Sequence, residues 1–189
     1  MGKWLWIGGI VIVLLMVIGW FIGIYNGLVL IDQNVKESWS QVENQLQRRS
    51  DLIPNLVETV KGYATHEKEI FDHVADARAK LAGAKNMGDK INAANDLSNA
   101  LSRLLMVVEN YPQLKADANF RQLMDSLEGT ENRIAVARQR FNIAVKEYNT
   151  KARSFPTVTM VGIFGFDATK PFFEAEEGAK AVPKVNFKL

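Results

Sequence analysis

WLWIGGIVIVLLMVIGWFIGIYNGLVLI, Trp4 to Ile31, holds no charged residue, and its reading decides what kind of molecule follows. A helix needs about 20 apolar residues to cross the hydrocarbon of a bilayer, and Trp4 to Ile24 already supplies that. Trp4 and Trp6 at one end and Trp20 and Tyr25 near the other suit the two interfacial rings of aromatic side chains. A cleaved signal peptide is the rival reading, since Lys3 followed by an apolar run fits one. The run is too long for the apolar region of such a peptide, and no A-x-A-like site follows it. The chain has no Cys to carry a lipoprotein anchor. The stretch therefore reads as an N-terminal transmembrane anchor, with the lipid bilayer as its partner.

Gly19, Gly23 and Gly27 recur every four residues and line one face of this helix. Small residues at that spacing let two transmembrane helices approach backbone to backbone, which predicts a homo-oligomer. The plainer reading is that glycine is common in membrane helices. Lys3 and the terminal amine favour an inside N-terminus, while Lys36, Arg48 and Arg49 on the other flank offset them. The basic residues thus leave the side of the soluble part unassigned.

Outward from the anchor, composition excludes more than it proposes. Lys3 is one of 23 basic residues set against 21 acidic ones, so the rest of the chain is close to neutral. No basic stripe marks a nucleic-acid partner. The absence of Cys removes disulfides, thiolate chemistry and Cys-ligated metal together. With two His and no Cys, neither a Ser-His-Asp nor a Cys-His arrangement can be assembled. The expectation is a non-enzymatic protein without catalytic residues, cofactor or metal.

From Asp32 the text turns to helical periodicity. Val35, Trp39, Val42, Leu46, Ile53, Leu56, Val60, Tyr63, Phe71 and Val74 fall mostly at steps of three and four. Pro54 interrupts without changing the apolar phase, which favours one continuous, kinked helix from the membrane to about Leu81. GAKNMGD, Gly83 to Asp89, is a turn with Asp89 placed as an N-cap. A second helix carries Ile91, Ala94, Leu97, Leu101, Leu104 and Val108 on one side and ends at NYPQLKA, Asn110 to Ala116. Its Asn-rich side (Asn86, Asn92, Asn95, Asn99, Asn110) reads as a solvated face or a partner surface. The third helix has the cleanest repeat: Ala116, Phe120, Leu123, Leu127, Thr130, Ile134, Ala137, Phe141, Ala144 and Tyr148 form a coiled-coil-like seam with one polar position, and Gly129 is its weak point.

The lengths allow closure. Helix two would descend about 33 Å, an extended 110–116 about 20 Å more, and helix three would rise about 57 Å. The predicted fold is thus all-α: a transmembrane helix continuing into an antiparallel bundle of three main helices. It divides into an anchor and junction at 1–31, a soluble helical bundle at 32–153 and an irregular apolar tail at 154–189. In the tail, SFPTVTMVGIFGFDATKPFF (Ser154 to Phe173) either packs on the bundle or forms a contact surface.

Two constellations could carry chemistry or register. His66, Glu69 and His73 share one face of a continuous helix, yet two turns put the histidines about 10 Å apart, too far to ligate one ion. Arg48, Asp51, Asn55 and Glu58 form a polar stripe on the first helix, and Glu131, Arg138, Asn142 and Asn149 another on the third. Both flank apolar seams, so they could meet and hold two long helices in register. The alternative is two independent solvated faces. The carboxylates Glu176 and Glu177 lie in the tail, with no pocket implied around them.

YNGLV (Tyr25 to Val29), ESWSQVENQLQRRSDLIPNLVETVKGYATHE (Glu37 to Glu67), YPQLKA (Tyr111 to Ala116), ENRIAVARQRFNIAVKEYN (Glu131 to Asn149) and FPTVTMVGIFGF (Phe155 to Phe166) occur in this order along nearly the whole chain. In these segments the sequence resembles the LemA family of bacterial membrane proteins. The resemblance implies an N-terminal membrane helix and a soluble α-helical bundle, located in the bacterial cytoplasmic membrane with a single pass. It defines no molecular activity. Some relatives are associated with building or shaping membrane compartments, which implies a scaffold role by analogy. An adaptor for another envelope membrane protein, such as a protease, is the competing expectation, and a metal enzyme using the His66 face the third.

Overall fold

A computed structural model describes residues 2–174. The described chain is all-α: α1 (Gly2–Lys61), α2 (Lys68–Gly83), α3 (Met87–Val108), α4 (Pro112–Ala116) and α5 (Ala118–Arg153), followed by one 3₁₀ turn at Thr157–Thr159. Three of the helices are long, and α1 alone runs 60 residues, about 90 Å at the α-helical rise. The apolar stretch and the first helix of the soluble part are one uninterrupted element. Residues 2–23 of it are exposed, and the helix is long and apolar enough to cross a membrane.

The first helix ends earlier than the apolar phase predicts. It stops at Lys61, turns through 62–67 and restarts as α2. Gly62 is a poor helix former. The Tyr63 and Ala64 amides both donate to the Val60 carbonyl, which tightens the last turn and closes the helix. Phase could not reveal this break, because Phe71 and Val74 reach the same core whether the helix continues or folds back. Pro54 itself sits inside α1 without ending it.

The described residues fall into two compact units. Residues 42–138 with 171–174 form one unit, and residues 2–41 with 139–170 the other. In the first, α2 runs back along α1, shown by Lys61 over the Phe71 ring and Arg78 on Ser50. Then α3 runs parallel to α1, with Lys90 on Glu43 and Ser98 on Arg49, and α5 returns antiparallel, with Asp117 near Tyr63 and Glu131 near Arg49. The expected directions of the second and third helices are therefore reversed, because α2 supplies an extra pass. Residues 110–116 are not extended either. Pro112 opens the short α4, whose Leu114 is buried. The core joins Ile53, Leu56 and Val60 of α1 to Val74, Leu97, Leu104 and Leu114.

Caps set the helix starts. Asn86, not Asp89, caps α3: its side chain accepts from the Asp89 amide at 2.8 Å, while Asp89 at the third position accepts from Asn86 Nδ2. Asp117 similarly accepts from the Phe120 amide at the start of α5. The predicted seam of α5 is buried from Thr130 to Tyr148, and Thr130 satisfies its hydroxyl on the Ser126 carbonyl of its own helix. Gly129 does not break α5.

In the second unit α1 and α5 pair antiparallel, with Trp39 against Phe141 at 5.2 Å between ring centroids. Leu28, Val35, Val145, Tyr148 and Ala152 are buried between them. Packing thus begins at Leu28, ahead of the first charged residue after the apolar stretch.

Candidate functional site

Asp32 is that first charge, and it is buried. A carboxylate at such a place must be paired or neutralised. Lys36, one turn along α1, reaches it at 2.8 Å, and Lys170 reaches its other oxygen at 3.1 Å. Lys170 also pairs with Asp167 at 2.7 Å and stands 5.1 Å from the centre of the Tyr148 ring. Burial opposes the Asp32 charge, but hydrogen bonds from Lys36 and Lys170 outweigh it and hold the carboxyl below its usual pKa. Burial likewise disfavours the Lys170 ammonium, yet Asp167 and Asp32 outweigh it and raise that pKa. Burial is also the main reason the Tyr148 hydroxyl is shifted up.

The backbone of the same segment is pinned separately. Asn149 donates to the Lys170 carbonyl at 3.0 Å and accepts from the Lys170 amide at 2.7 Å. The Tyr148 hydroxyl donates to the Asp167 carbonyl at 2.6 Å. Phe164 and Phe166 lie 5.3 and 5.9 Å from the Tyr25 ring. Between them Gly165 takes φ +74°, a left-handed conformation that a side chain disfavours. The result is a clamp: residues 154–170 leave α5 and are fastened to α1 where α1 emerges from its apolar stretch.

The anticipated polar stripes do not meet as drawn. Arg48, Asp51, Asn55 and Glu58 are exposed, with Asp51 accepting from Gln47 and Glu58 pairing with Lys61 on their own helix. The neighbouring Arg49 turns inward, 8% exposed, and joins Glu131 of α5 at 3.0 Å and Ser98 of α3 at 3.0 Å. Burial, then the nearby Arg138, lower the Arg49 pKa, and Glu131 works against them. Arg138 stacks over the Phe173 ring at 4.7 Å, Asn142 is half-buried, and Asn149 serves the clamp. Adjacent residues on a helix differ by about 100° in direction, so spacing alone did not tell Arg48 from Arg49. Asp32 and Lys170 were legible only as the first charge after a long apolar run and as an isolated Lys among aromatics.

His66 lies in the turn before α2, so it does not share a helical face with Glu69 and His73, which stand 3.6 Å apart and exposed. Among the described residues no group of three or more His, Asp or Glu is placed to hold a metal ion. Glu176 and Glu177 lie outside the described residues. At Gly19, Gly23 and Gly27 an added Cβ would meet nothing within 4 Å, so the chain's own fold leaves that face open.

This arrangement, one long apolar helix continuing into α-helical packing, defines a class of membrane-associated helical proteins. Residues 38–187 match the LemA family, and the chain belongs to it. It is similar to Magnetosome protein MamQ 2 of Paramagnetospirillum magneticum and Magnetosome protein MamQ of Magnetospirillum gryphiswaldense, each 29% identical over 180 residues, covering 82% of this chain and 66% of the relative. Protein LemA of Metamycoplasma hominis is 22% identical over 148 residues, 76% of this chain and 68% of that one. The chain spans just under two thirds of the length of the magnetosome relatives.

Proposed function

We propose that the protein is a non-enzymatic scaffold, held by a single pass in the bacterial cytoplasmic membrane, that self-associates to organise membrane or partner proteins. The observation that carries this reading is the continuity of α1. One helix runs unbroken from Gly2 to Lys61, so no linker follows the apolar stretch. A helix that leaves its apolar stretch without a linker suits a holding role at a membrane. Its similarity to proteins named for the magnetosome fits work at a membrane compartment.

The open glycine face supports self-association, since close backbone approach there would be driven by packing within lipid. Cross-linking and mass measurement of the full chain in lipid nanodiscs are expected to show oligomers. Gly23→Leu, which projects a side chain from the centre of that face, is expected to shift them to monomer. A wild-type chain that is monomeric and fails to cross-link would overturn the scaffold reading. Recovery of a stoichiometric second membrane protein without self-assembly would replace it with the adaptor reading.

A further inference from the structure

We infer that the 154–166 segment is itself a membrane-contacting element, which inserts Phe155, Val158 and Ile163 into the interfacial layer of the leaflet through which α1 leaves the bilayer. The inference rests on the proposal that α1 crosses a membrane, and it adds a second point of contact with the same bilayer.

Three observations combine. The first is height. From Trp4 to Tyr25 is about 32 Å of helix, close to the roughly 30 Å of bilayer hydrocarbon, so Tyr25 stands at the boundary between acyl chains and headgroups. Phe164 and Phe166 are packed on Tyr25, and the Lys170 to Asp32 ion pair lies two turns further along α1. The clamp therefore fixes the segment at the level of the membrane surface.

The second is exposure. Phe155 is 84% and Ile163 80% exposed, and Val158 is open as well, although Thr157, Met160 and Val161 of the same segment are buried. The buried residues hold the segment in place, which leaves the exposed ones projecting by design of the fold and not through lack of structure. The third is charge. Nothing between Phe155 and Phe166 is ionisable, while the exposed Lys151 and Arg153 lie just before it at the end of α5. Apolar side chains at the boundary with cations behind them suit lipid whose headgroups are anionic. A protein partner at this height would have to share the site with the bilayer already there.

The chain lacks Cys, so single reporters can be introduced into the full-length protein. Phe155→Cys and Ile163→Cys, labelled with the fluorophore NBD, are reconstituted in phosphatidylcholine–phosphatidylglycerol vesicles with and without lipids bearing a nitroxide high on the acyl chain. Ile143→Cys, exposed on α5, is the aqueous reference, and Val158→Cys is a third reporter should either label disturb the segment. Quenching of the tryptophan emission from Trp4, Trp6 and Trp20, over the unquenched share of the buried Trp39, reports on the anchor independently. The expected result is blue-shifted emission at 155 and 163 that is lost with nitroxide lipid, and unshifted, unquenched emission at 143. Quenched tryptophans with water-like emission at 155 and 163 would overturn the inference and leave the anchor standing. Blue-shifted emission insensitive to nitroxide lipid would overturn it in favour of contact with another protein copy. Tryptophans that escape quenching would remove the anchor reading and this inference together.

Discussion

Ser50 carries a carbonyl that the helix cannot satisfy. Pro54, four residues on, has no N–H to donate to it, and in a helix interior that deficit normally kinks or ends the element. Here Arg78 of α2 donates its Nε to the Ser50 carbonyl at 3.1 Å and stands 3.3 Å from the Ser50 hydroxyl. Ser50 is buried, and leaving a buried acceptor unmade costs about 1–3 kcal/mol. Arg78→Met is therefore expected to destabilise the chain by about that amount in chemical denaturation. In a Pro54→Ala background, where residue 54 regains its N–H, the loss should shrink markedly. Equal losses in the two backgrounds would show that Arg78 acts through some other contact. None of this was legible in sequence, where an arginine two steps from an aspartate on a helix reads as solvated.

At the scale of the element, the same substitution is expected to have opposite signs at two glycines. Gly129 lies within α5 with nothing inside 4 Å of an added Cβ, so Gly129→Ala should stabilise by about 0.5–1 kcal/mol, read as a raised Tm. Gly165 sits at φ +74°, where a Cβ costs about 1–2 kcal/mol, so Gly165→Ala should loosen the clamped segment. Hydrogen exchange at the Phe166 amide, which donates to the Val161 carbonyl, measures that loosening directly. An unchanged Phe166 rate would refute the assignment of strain to Gly165. Element existence was readable from the three- and four-residue spacing of Val35 to Val60, Ile91 to Val108 and Phe120 to Tyr148. Element ends were harder. Asn86 rather than Asp89 caps α3, and the turn at 62–67 hides behind an apolar phase that survives the reversal of the chain.

For the molecule as a whole, the clamp ties stability to pH with a definite sign. Asp32 is held below the ordinary carboxylate pKa of about 3.9, so its contribution is present above that pH and is lost on acidification through its lowered value. Lys170 is raised above its ordinary value of about 10.4, so its share is complete below that pH and is lost only as pH rises through the raised value. Protection of the Lys170 amide, corrected for intrinsic exchange, is expected to be flat across the neutral range and to fall below about pH 4. Asp32→Asn should lower the plateau and flatten the acid limb. An acid limb that persists in Asp32→Asn would assign it to another carboxylate. Sequence by itself determined that a long apolar helix comes first, that the stretch from Asp32 to Arg153 is largely helical and which of its faces are buried, because charge-free length and helical period are local properties of the text. Tertiary structure alone decided that α1 turns back at Gly62, that α3 runs parallel to it, that Arg49 and not Arg48 enters the core, and that Lys170 returns to Asp32. Those outcomes depend on which surfaces meet after the chain reverses, and an apolar stripe presents the same spacing to any partner that can cover it.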